Sequence, residues 1–353
     1  MSGSAALPAA AAGAVRPYAP SWLDRLMAGI ERTPFAPWLA LAVIGAGALL
    51  LTSSLGPLSG QPLTFDPAQT YFALLLPATM WLFWYLGRLA SSALDAFRPL
   101  LEASDAEIAD LRYRLTVVPA RDGWLLAVAA VLWTIEGYTF QPAGEAVAGL
   151  SPAAIAVRGP FEAVATAVLL VTFDRTVRQL RLVDRIHARA SHIDLYQPAP
   201  LYAFSSLTAR TGMALFLLFA VPIAPLIPGG AEQAAYAVAA AWVLTLLVVS
   251  VAAFVIPLEG MHARITARKR DLEAEVGRRL TVTTETIHRA VDAGDLGVAD
   301  GLDKQLSSLI AERELIEKLP TWPWRPGTLG AFATALVLPV VLWLVTRLLE
   351  RVV

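Results

Sequence analysis

The sequence predicts an all-α protein, a polytopic bundle of helices that cross a membrane several times. Hydrophobic residues make up 56% of the 353 residues and charged residues only 16%, so the chain is too apolar for an ordinary water-soluble domain. A membrane-spanning helix needs about 20 mainly apolar residues. Seven segments approach that length, at 36–55, 71–88, 122–141, 158–174, 210–228, 233–256 and 329–348. Six spans is the alternative count, because segment 158–174 contains Glu162 near its start and Asp174 at its end.

Positive charges are confined to every second connection between these segments. Three connections contain no Lys or Arg, namely 57–70, 142–157 and 229–232. Of the 28 Lys and Arg residues, all but Arg158, Arg347 and Arg351 lie in the N-terminal segment or in the other connections, if Arg88 and Arg210 at the segment edges are counted with those connections. Because positively charged loops stay on the cytoplasmic side, this pattern predicts seven spans with a cytoplasmic N-terminus. Abundant Ala and scarce Lys are typical of a high-GC bacterial genome, so we expect the bacterial inner (plasma) membrane.

Two short helices outside the membrane are predicted from capping signals. Residues 1–35 are expected to form a cytoplasmic Ala/Pro-rich tail and then a helix that lies in the membrane interface. Ser21 and Asp24 have the spacing of an N-terminal capping box at the start of that helix. Ser104 and Glu107 have the same spacing, which predicts a cytoplasmic helix at 104–118.

A basic amphipathic helix is predicted at 175–194, continuous with the fourth span. At about 100° per residue, the arginines from Arg175 onwards share one side of this helix, opposite Leu180 and Val183. The candidates for contact with anionic lipid headgroups or with acidic residues of a partner surface are Arg178, Arg181, Arg185 and Arg189. The alternative is that these charges only set the topology.

The largest cytoplasmic segment, 257–326, predicts an antiparallel helical hairpin followed by a proline-rich elbow. Both halves carry apolar residues at helical spacing, as in a coiled coil, and a turn signal lies at 292–297. In the second half this apolar seam, the expected interface, consists of Leu302, Leu306, Leu309 and Ile316. Trp322 and Trp324 lie among the prolines just before the last span and are expected to anchor in the headgroup layer.

Several chemistries find no support in the sequence. The absence of cysteine excludes disulfides, thiolate metal sites and a cysteine nucleophile. The chain contains no phosphate-binding Gly-Lys-Ser/Thr loop, no Gly-x-Ser-x-Gly elbow and no His-Glu-x-x-His motif. His187 and His192 are five residues apart and would face different sides of a helix, so we expect solvent-facing histidines rather than a metal site. We therefore predict no enzyme activity, cofactor or metal, and the net charge of −1 gives no reason to expect nucleic acid as a partner.

Ionisable residues inside the predicted spans are candidates for a function, because a charge is costly to keep in lipid. Glu136 lies within the third span, and Glu162 and Asp174 lie near the ends of the fourth. For Glu136 the structural interpretation is a shallow carboxylate bonded to a neighbouring helix, and the alternative is a role in an ion or proton pathway. The fifth span contains three close prolines that break its outer half, a feature of many transporters; these are Pro222, Pro225 and Pro228.

The sequence favours a non-enzymatic integral membrane protein with a scaffold, signalling or assembly role. Besides the lipid bilayer, its expected partner is a second copy or another protein, bound through the cytoplasmic hairpin. The alternative is an oligomeric ion channel or transporter that uses Glu136 and the broken fifth span. Polar groups are scarce within the spans, which favours the first hypothesis because a permeation path needs a wet lining.

Overall fold

A computed structural model describes residues 16–62, 67–139, 150–191, 193–220, 233–294 and 296–352. These residues are almost entirely helical and form no strand, which confirms the all-α prediction. In chain order the α-helices are α1 (Trp22–Glu31), α2 (Pro37–Leu58), α3 (Pro67–Phe97), α4 (Asp105–Thr116), α5 (Ala120–Thr139), α6 (Pro152–Ala188), α7 (Ser205–Ala220), α8 (Gln233–Asp292), α9 (Leu296–Lys318) and α10 (Pro326–Val352). Short 3-10 turns at Arg98–Leu100 and Pro200–Tyr202 follow α3 and precede α7.

Five helices are long and apolar enough to cross a membrane, which indicates a multi-pass membrane protein. They are Pro37–Leu58, Ala73–Leu100, Pro152–Ala188, Pro200–Ala220 and Val238–Asp292. The predicted span 122–141 corresponds to α5, which carries Asp122 and Glu136 and is not among the five. The predicted span 329–348 corresponds to α10, whose apolar part Gly327–Pro339 is shorter. The three prolines of the fifth predicted span lie outside the described residues.

Two helices extend well beyond the thickness of a bilayer. α6 has 37 residues and α8 has 60. At a rise of 1.5 Å per residue, α8 is about 90 Å long, roughly three times the hydrocarbon core of a membrane. The predicted basic helix is therefore the last part of α6, which ends at Ala188 rather than at residue 194. In α8 the chain continues as one helix through Pro257, as the helical spacing of the apolar residues in its sequence indicates.

The two predicted capping boxes are present at the starts of α1 and α4. The Ser21 hydroxyl accepts a hydrogen bond from the backbone N–H of Asp24, and the Asp24 carboxylate accepts one from the backbone N–H of Ser21. Ser104 and Glu107 make the same pair of hydrogen bonds at α4. These signals are readable from sequence because both partners lie within one helical turn.

Helix α9 packs along the second half of α8. Between them Gly294 has a φ of +75°, a left-handed conformation that residues with a Cβ rarely adopt. Nζ of Lys269 on α8 donates to the backbone oxygens of Glu317 and Leu319, at 2.8 and 3.0 Å. A cation thus binds the last carbonyls of α9, where the helix dipole favours it.

Three apolar clusters hold the helices together. One joins α3, α4, α6, α7 and α8 around Phe97, and a second joins α1, α2, α3 and α6 around Phe83. The third joins α7, α8 and α10 around Phe254. Helices α7 and α8 approach closely at Gly212, where a Cβ would lie only 2.5 Å from the backbone oxygen of Ser250. A glycine is therefore needed at this crossing.

Candidate functional site

A cavity of about 340 Å³ with both charged and apolar lining residues lies among α1, α3, α4 and α6. Its charged lining consists of Arg88, Arg112, Arg175, Asp24, Glu31 and Asp95. The helices α3 and α6 belong to the candidate spans, whereas α1 and α4 do not. The cavity therefore lies where two helices of the candidate spans meet two helices that are not among them. None of the site residues predicted from the sequence lines it.

A buried carboxylate on α1 fixes one wall of this cavity. Oδ2 of Asp24 accepts hydrogen bonds from Ser21 N, Ser21 Oγ and Val118 N, at 3.1, 2.6 and 3.0 Å. Ser21 N also donates to the Val118 carbonyl at 2.9 Å, so the chain before α1 pairs with the chain between α4 and α5. Burial raises the pKa of Asp24, and it outweighs these hydrogen bonds and the attraction of Arg175, which lower it. The predicted interfacial helix is thus docked on the other helices by its own capping residue.

Arg175 on α6 is a deeply buried charge at the cavity, with only 4% of its surface exposed. Its guanidinium carbon lies 3.4 Å from the centre of the Phe83 ring, so the aromatic ring covers one face. Nη1 donates to the carbonyl of Thr116 at 3.4 Å. Nε and Nη2 have no hydrogen-bond partner among the described residues. A buried cation with unused donors is costly unless another group satisfies it.

A glycine on α3 makes room for this guanidinium. A Cβ at Gly87 would lie 3.3 Å from Nη1 and 3.5 Å from Nη2 of Arg175. Phe83 and Gly87 are four residues apart and therefore share a face of α3. That face supplies an aromatic ring and, one turn later, a bare backbone against which the guanidinium packs.

The carboxylates that line the cavity already accept hydrogen bonds from protein donors. Oε1 of Glu31 accepts from Nε1 of Trp84 at 2.6 Å, and Asp95 forms an ion pair with Nη2 of Arg112. Nε of Arg112 is buried and has no partner in the described part of the chain. Among the described lining residues, the unsatisfied buried side-chain atoms are therefore guanidinium donors and not acceptors.

The burial of Arg175 corrects the sequence analysis, which placed this residue on the exposed basic side of its helix. On the helical wheel Arg175 is about 20° from Ile186, which is buried, and about 60° from Arg178, which is exposed. Gln179, one turn after Arg175, is also buried, and its Nε2 donates to the Leu115 carbonyl at 2.7 Å. Arg175 and Gln179 are polar residues on two successive turns of the same face as the apolar Ile186. This pattern was the signal in the sequence that the two side chains are buried.

His187 is a second correction, because it is fully buried and does not face solvent. Its Nδ1 lies 2.9 Å from the carbonyl oxygen of Pro257. A carbonyl only accepts, so Nδ1 donates and the proton resides there. The ring packs edge-on against Phe97 and Phe204, with centroids 5.3 and 5.4 Å away. His187 therefore joins α6 to α8; the second predicted histidine, His192, lies outside the described residues.

The four basic residues predicted to contact headgroups or an acidic partner are exposed at the end of α6 and just beyond it. They are Arg178, Arg181, Arg185 and Arg189. Arg178 forms ion pairs with Asp122 on α5 at 2.6 Å and with Asp174 on its own helix at 2.7 Å. This residue therefore links α5 to α6. Contacts of these arginines with lipid or a partner stay a prediction.

The three carboxylates predicted as in-membrane candidates lie apart from one another. Glu162 accepts hydrogen bonds from Nε of Arg158 at 2.6 Å and from the Tyr138 hydroxyl at 2.9 Å, which connects α6 to α5. Asp174 belongs to the pair with Arg178 near the other end of α6. Glu136 is exposed on α5. The structure therefore does not bring them together into one site.

The two predicted membrane anchors stack on each other and on α8. The ring centroids of Trp322 and Trp324 are 4.4 Å apart. Trp322 also stacks on His262 at 3.9 Å, and Trp324 lies 5.3 Å from Phe254. Both tryptophans are half-buried, so they fix the segment between α9 and α10 to α8. Contact with lipid headgroups stays a prediction for them as well.

The predicted seam residues of α9 are covered within the chain. Leu309 and Ile316 are buried, and Leu302 and Leu306 are half-buried. The helix that packs on α9 is α8. Leu309 and Ile316 are therefore covered within the chain, and contact of any of these four residues with a partner stays a prediction.

The part of the chain that the structure describes contains no group of three or more His, Asp or Glu side chains placed to hold a metal ion. Comparisons with protein-family models, with curated proteins and with solved structures find no match to this chain.

Proposed function

We propose that this chain is a bacterial inner-membrane protein that serves as an assembly scaffold. In this proposal α8 and α9 form a cytoplasmic hairpin that binds a second copy of the chain. The protein crosses the membrane seven times, and α5 and α10, with 20 and 27 residues, supply the third and the last span. The alternation of Lys and Arg between connections supports the cytoplasmic position of the N-terminus and the hairpin.

The observation that carries the proposal is the long antiparallel pair of helices made by α8 and α9. α8 continues without interruption from its apolar part to Asp292, and α9 runs back beside it for 23 residues. At the base, His262 and the stacked tryptophans hold the returning chain, and Lys269 binds the end of α9. A long helical pair that is joined to the rest of the chain by these contacts offers an extended surface, which favours a docking role.

The outer surface of the hairpin suits a second copy of itself. Four apolar side chains of the hairpin remain roughly half exposed or more: Val282, Val291, Ile310 and Leu315. At about 100° per residue they lie on more than one side of the hairpin. The ion pairs recorded on the hairpin join residues of the same helix, for example Arg279 with Glu275 and Arg313 with Glu317. Charges paired in this way produce no strong field of one sign, so two identical surfaces can meet without repulsion.

The test replaces exposed apolar residues on α9 and leaves the contact with α8 intact. The variant Ile310→Asp with Leu315→Asp adds two charges at the outer surface. The matched control, Gln305→Asp, adds a charge at an exposed polar position of the same helix, about 140° from Ile310 and about 80° from Leu315. Assembly is measured as the mass of the protein in nanodiscs and by cross-linking through a single cysteine introduced into this cysteine-free chain.

We expect the wild type and the Gln305→Asp control to form dimers or larger assemblies, and the apolar variant to be monomeric while its helix content is unchanged. Burying two carboxylates at an interface without partners costs several kcal/mol, which is enough to dissociate a modest dimer. A monomeric wild type, or an apolar variant that assembles like the wild type, would contradict the proposal.

A transport function is the alternative and has its own test. Glu136 is exposed on α5 beside Leu132 and Trp133, which are 61% and 69% exposed, and it does not line the cavity described above. A path through that cavity would not use this carboxylate. We therefore expect Glu136→Gln to insert normally and to leave any ion flux in reconstituted vesicles unchanged; a loss of flux in this variant would favour transport.

A further inference from the structure

The guanidinium of Arg175 presents one complete edge without a partner. Nε and Nη2 form the side of the guanidinium that binds two oxygens at once, and both lack an acceptor among the described residues. Phe83 covers one face of the group, and Nη1 is occupied by the Thr116 carbonyl. What remains is a fork with the geometry that carboxylates and phosphates match.

The protein itself does not fill this fork. Within the described ranges Arg175 forms no ion pair with a carboxylate, and the acidic group whose charge acts on it is Asp24. Gly87, on which the guanidinium packs, has no side chain that could accept a hydrogen bond. Asp24 lines the same cavity, but its Oδ2 is held by Ser21 and Val118. Glu31 accepts from Trp84 and Asp95 binds Arg112, so both carboxylates are engaged elsewhere.

We infer that the cavity among α1, α3, α4 and α6 binds a phosphate group, with the buried fork of Arg175 as its main ligand and Arg112 as a second donor. Nε of Arg112 is the other buried N–H on this cavity that lacks a partner within the described residues. A phosphate supplies acceptor oxygens to both guanidinium groups and offsets the charge of Arg175. Ser91 also lines the cavity and adds a hydroxyl.

The volume and the lining of the cavity indicate a phosphate ester rather than a bare phosphate ion. Its volume of about 340 Å³ exceeds the space of a single phosphate group, and Met27, Phe83 and Trp84 provide apolar wall. Arg88, whose guanidinium lies 5.0 Å from the centre of the Trp84 ring, adds positive charge at the same wall. A phosphate with an attached organic group therefore fits better than phosphate alone.

The ligand has two sources that share this chemistry. Because the cavity lies where α3 and α6 meet two helices that are not among the candidate spans, it is placed for the headgroup of an anionic phospholipid. The same position is accessible to a soluble phosphate compound from the aqueous side. The site is separate from α9 and from the proposed hairpin surface. Its test is therefore independent of the test of the scaffold function.

The experiment measures the thermal unfolding midpoint of the purified full-length protein. In a neutral detergent, inorganic phosphate is titrated against sodium chloride of equal ionic strength. In nanodiscs, phosphatidylcholine alone is compared with phosphatidylcholine containing phosphatidylglycerol. A rise of the midpoint with phosphate alone assigns a soluble phosphate compound, and a rise with phosphatidylglycerol alone assigns a lipid headgroup. Both outcomes support the inference; no rise in either arm overturns it.

The variant Arg175→Met tests whether the fork is responsible, and Arg181→Met is its matched control on an exposed position of the same helix. Two charge-assisted hydrogen bonds are lost, so the affinity for the probe that stabilises the wild type should fall about 100-fold or more in Arg175→Met. The control should stay within about twofold of the wild type. An Arg175→Met protein that responds like the wild type would refute the assignment.

A second variant keeps the test decisive if Arg175→Met does not fold. Arg175→Lys retains the buried positive charge but replaces the planar fork by a point charge. If Arg175 binds phosphate through its fork, the affinity should fall about tenfold or more in this variant. If Arg175 only supplies a structural cation, the affinity and the response to the probe should be preserved, which would also overturn the inference.

Discussion

Asp24→Ala removes an acceptor on which α1 and the chain between α4 and α5 both depend. The carboxylate oxygen Oδ2 receives hydrogen bonds from Ser21 N, Ser21 Oγ and Val118 N. After the substitution Ser21 N still reaches the Val118 carbonyl, but Val118 N loses this partner in a buried position. Leaving one buried donor unpaired costs about 1–3 kcal/mol, and loss of the capping box adds about 1 kcal/mol. We expect a loss of about 2–4 kcal/mol in the free energy of unfolding.

The matched control is Glu107→Ala, which removes the same capping-box carboxylate from α4. Glu107 is exposed, so the donors of Ser104 can bind water instead and the loss should be much smaller. Both variants are compared with the wild type by denaturant titration in detergent, with helix content followed by circular dichroism. If Asp24→Ala is no less stable than Glu107→Ala, the docking role assigned to Asp24 is refuted.

Three further predictions concern topology, packing and pH. Single cysteines placed in the connections 57–70 and 142–157 should be labelled only from outside the cell, and labelling only from the cytoplasm would reverse the proposed orientation. Gly212→Ala should lower the free energy of unfolding by about 1–3 kcal/mol, because its Cβ would meet the backbone oxygen of Ser250 at 2.5 Å. Hydrogen bonds from Ser104 lower the pKa of Glu107 below 4.5. Its ionised form therefore contributes stability above pH 4.5 that is lost as the pH falls through the lowered pKa, so the stability difference between wild type and Glu107→Gln should shrink in that range.

The parts of the fold that the sequence predicted correctly depend on local patterns. The capping boxes at Ser21 and Ser104 join residues three positions apart, so both partners are visible in one turn of sequence. The uninterrupted helix through Pro257 follows from an apolar seam that keeps helical spacing on both sides of it.

The partners of the candidate site, by contrast, are far apart in the chain. Arg175 contacts Phe83 and Thr116, and the ring of His187 reaches Pro257. The sequence analysis placed both residues on the solvent side because their side chains are charged or polar. The helices that cover them are distant in the chain, so the sequence of one helix does not reveal that they are buried. The glycine that admits the guanidinium, Gly87, carries no signal of its own in the sequence.

The sequence by itself determined that this is a helical, multi-pass membrane protein and where its main helices run, because length, apolar content and capping act through neighbouring residues. Only the tertiary structure decided which charges are buried and which donors are left without partners. A helical face becomes an interior only when another helix packs on it, and here α3 and α4 turn the Arg175 side of α6 into the wall of a cavity. That difference is physical: hydropathy is a property of each segment, whereas burial is a property of the pairs of segments that meet.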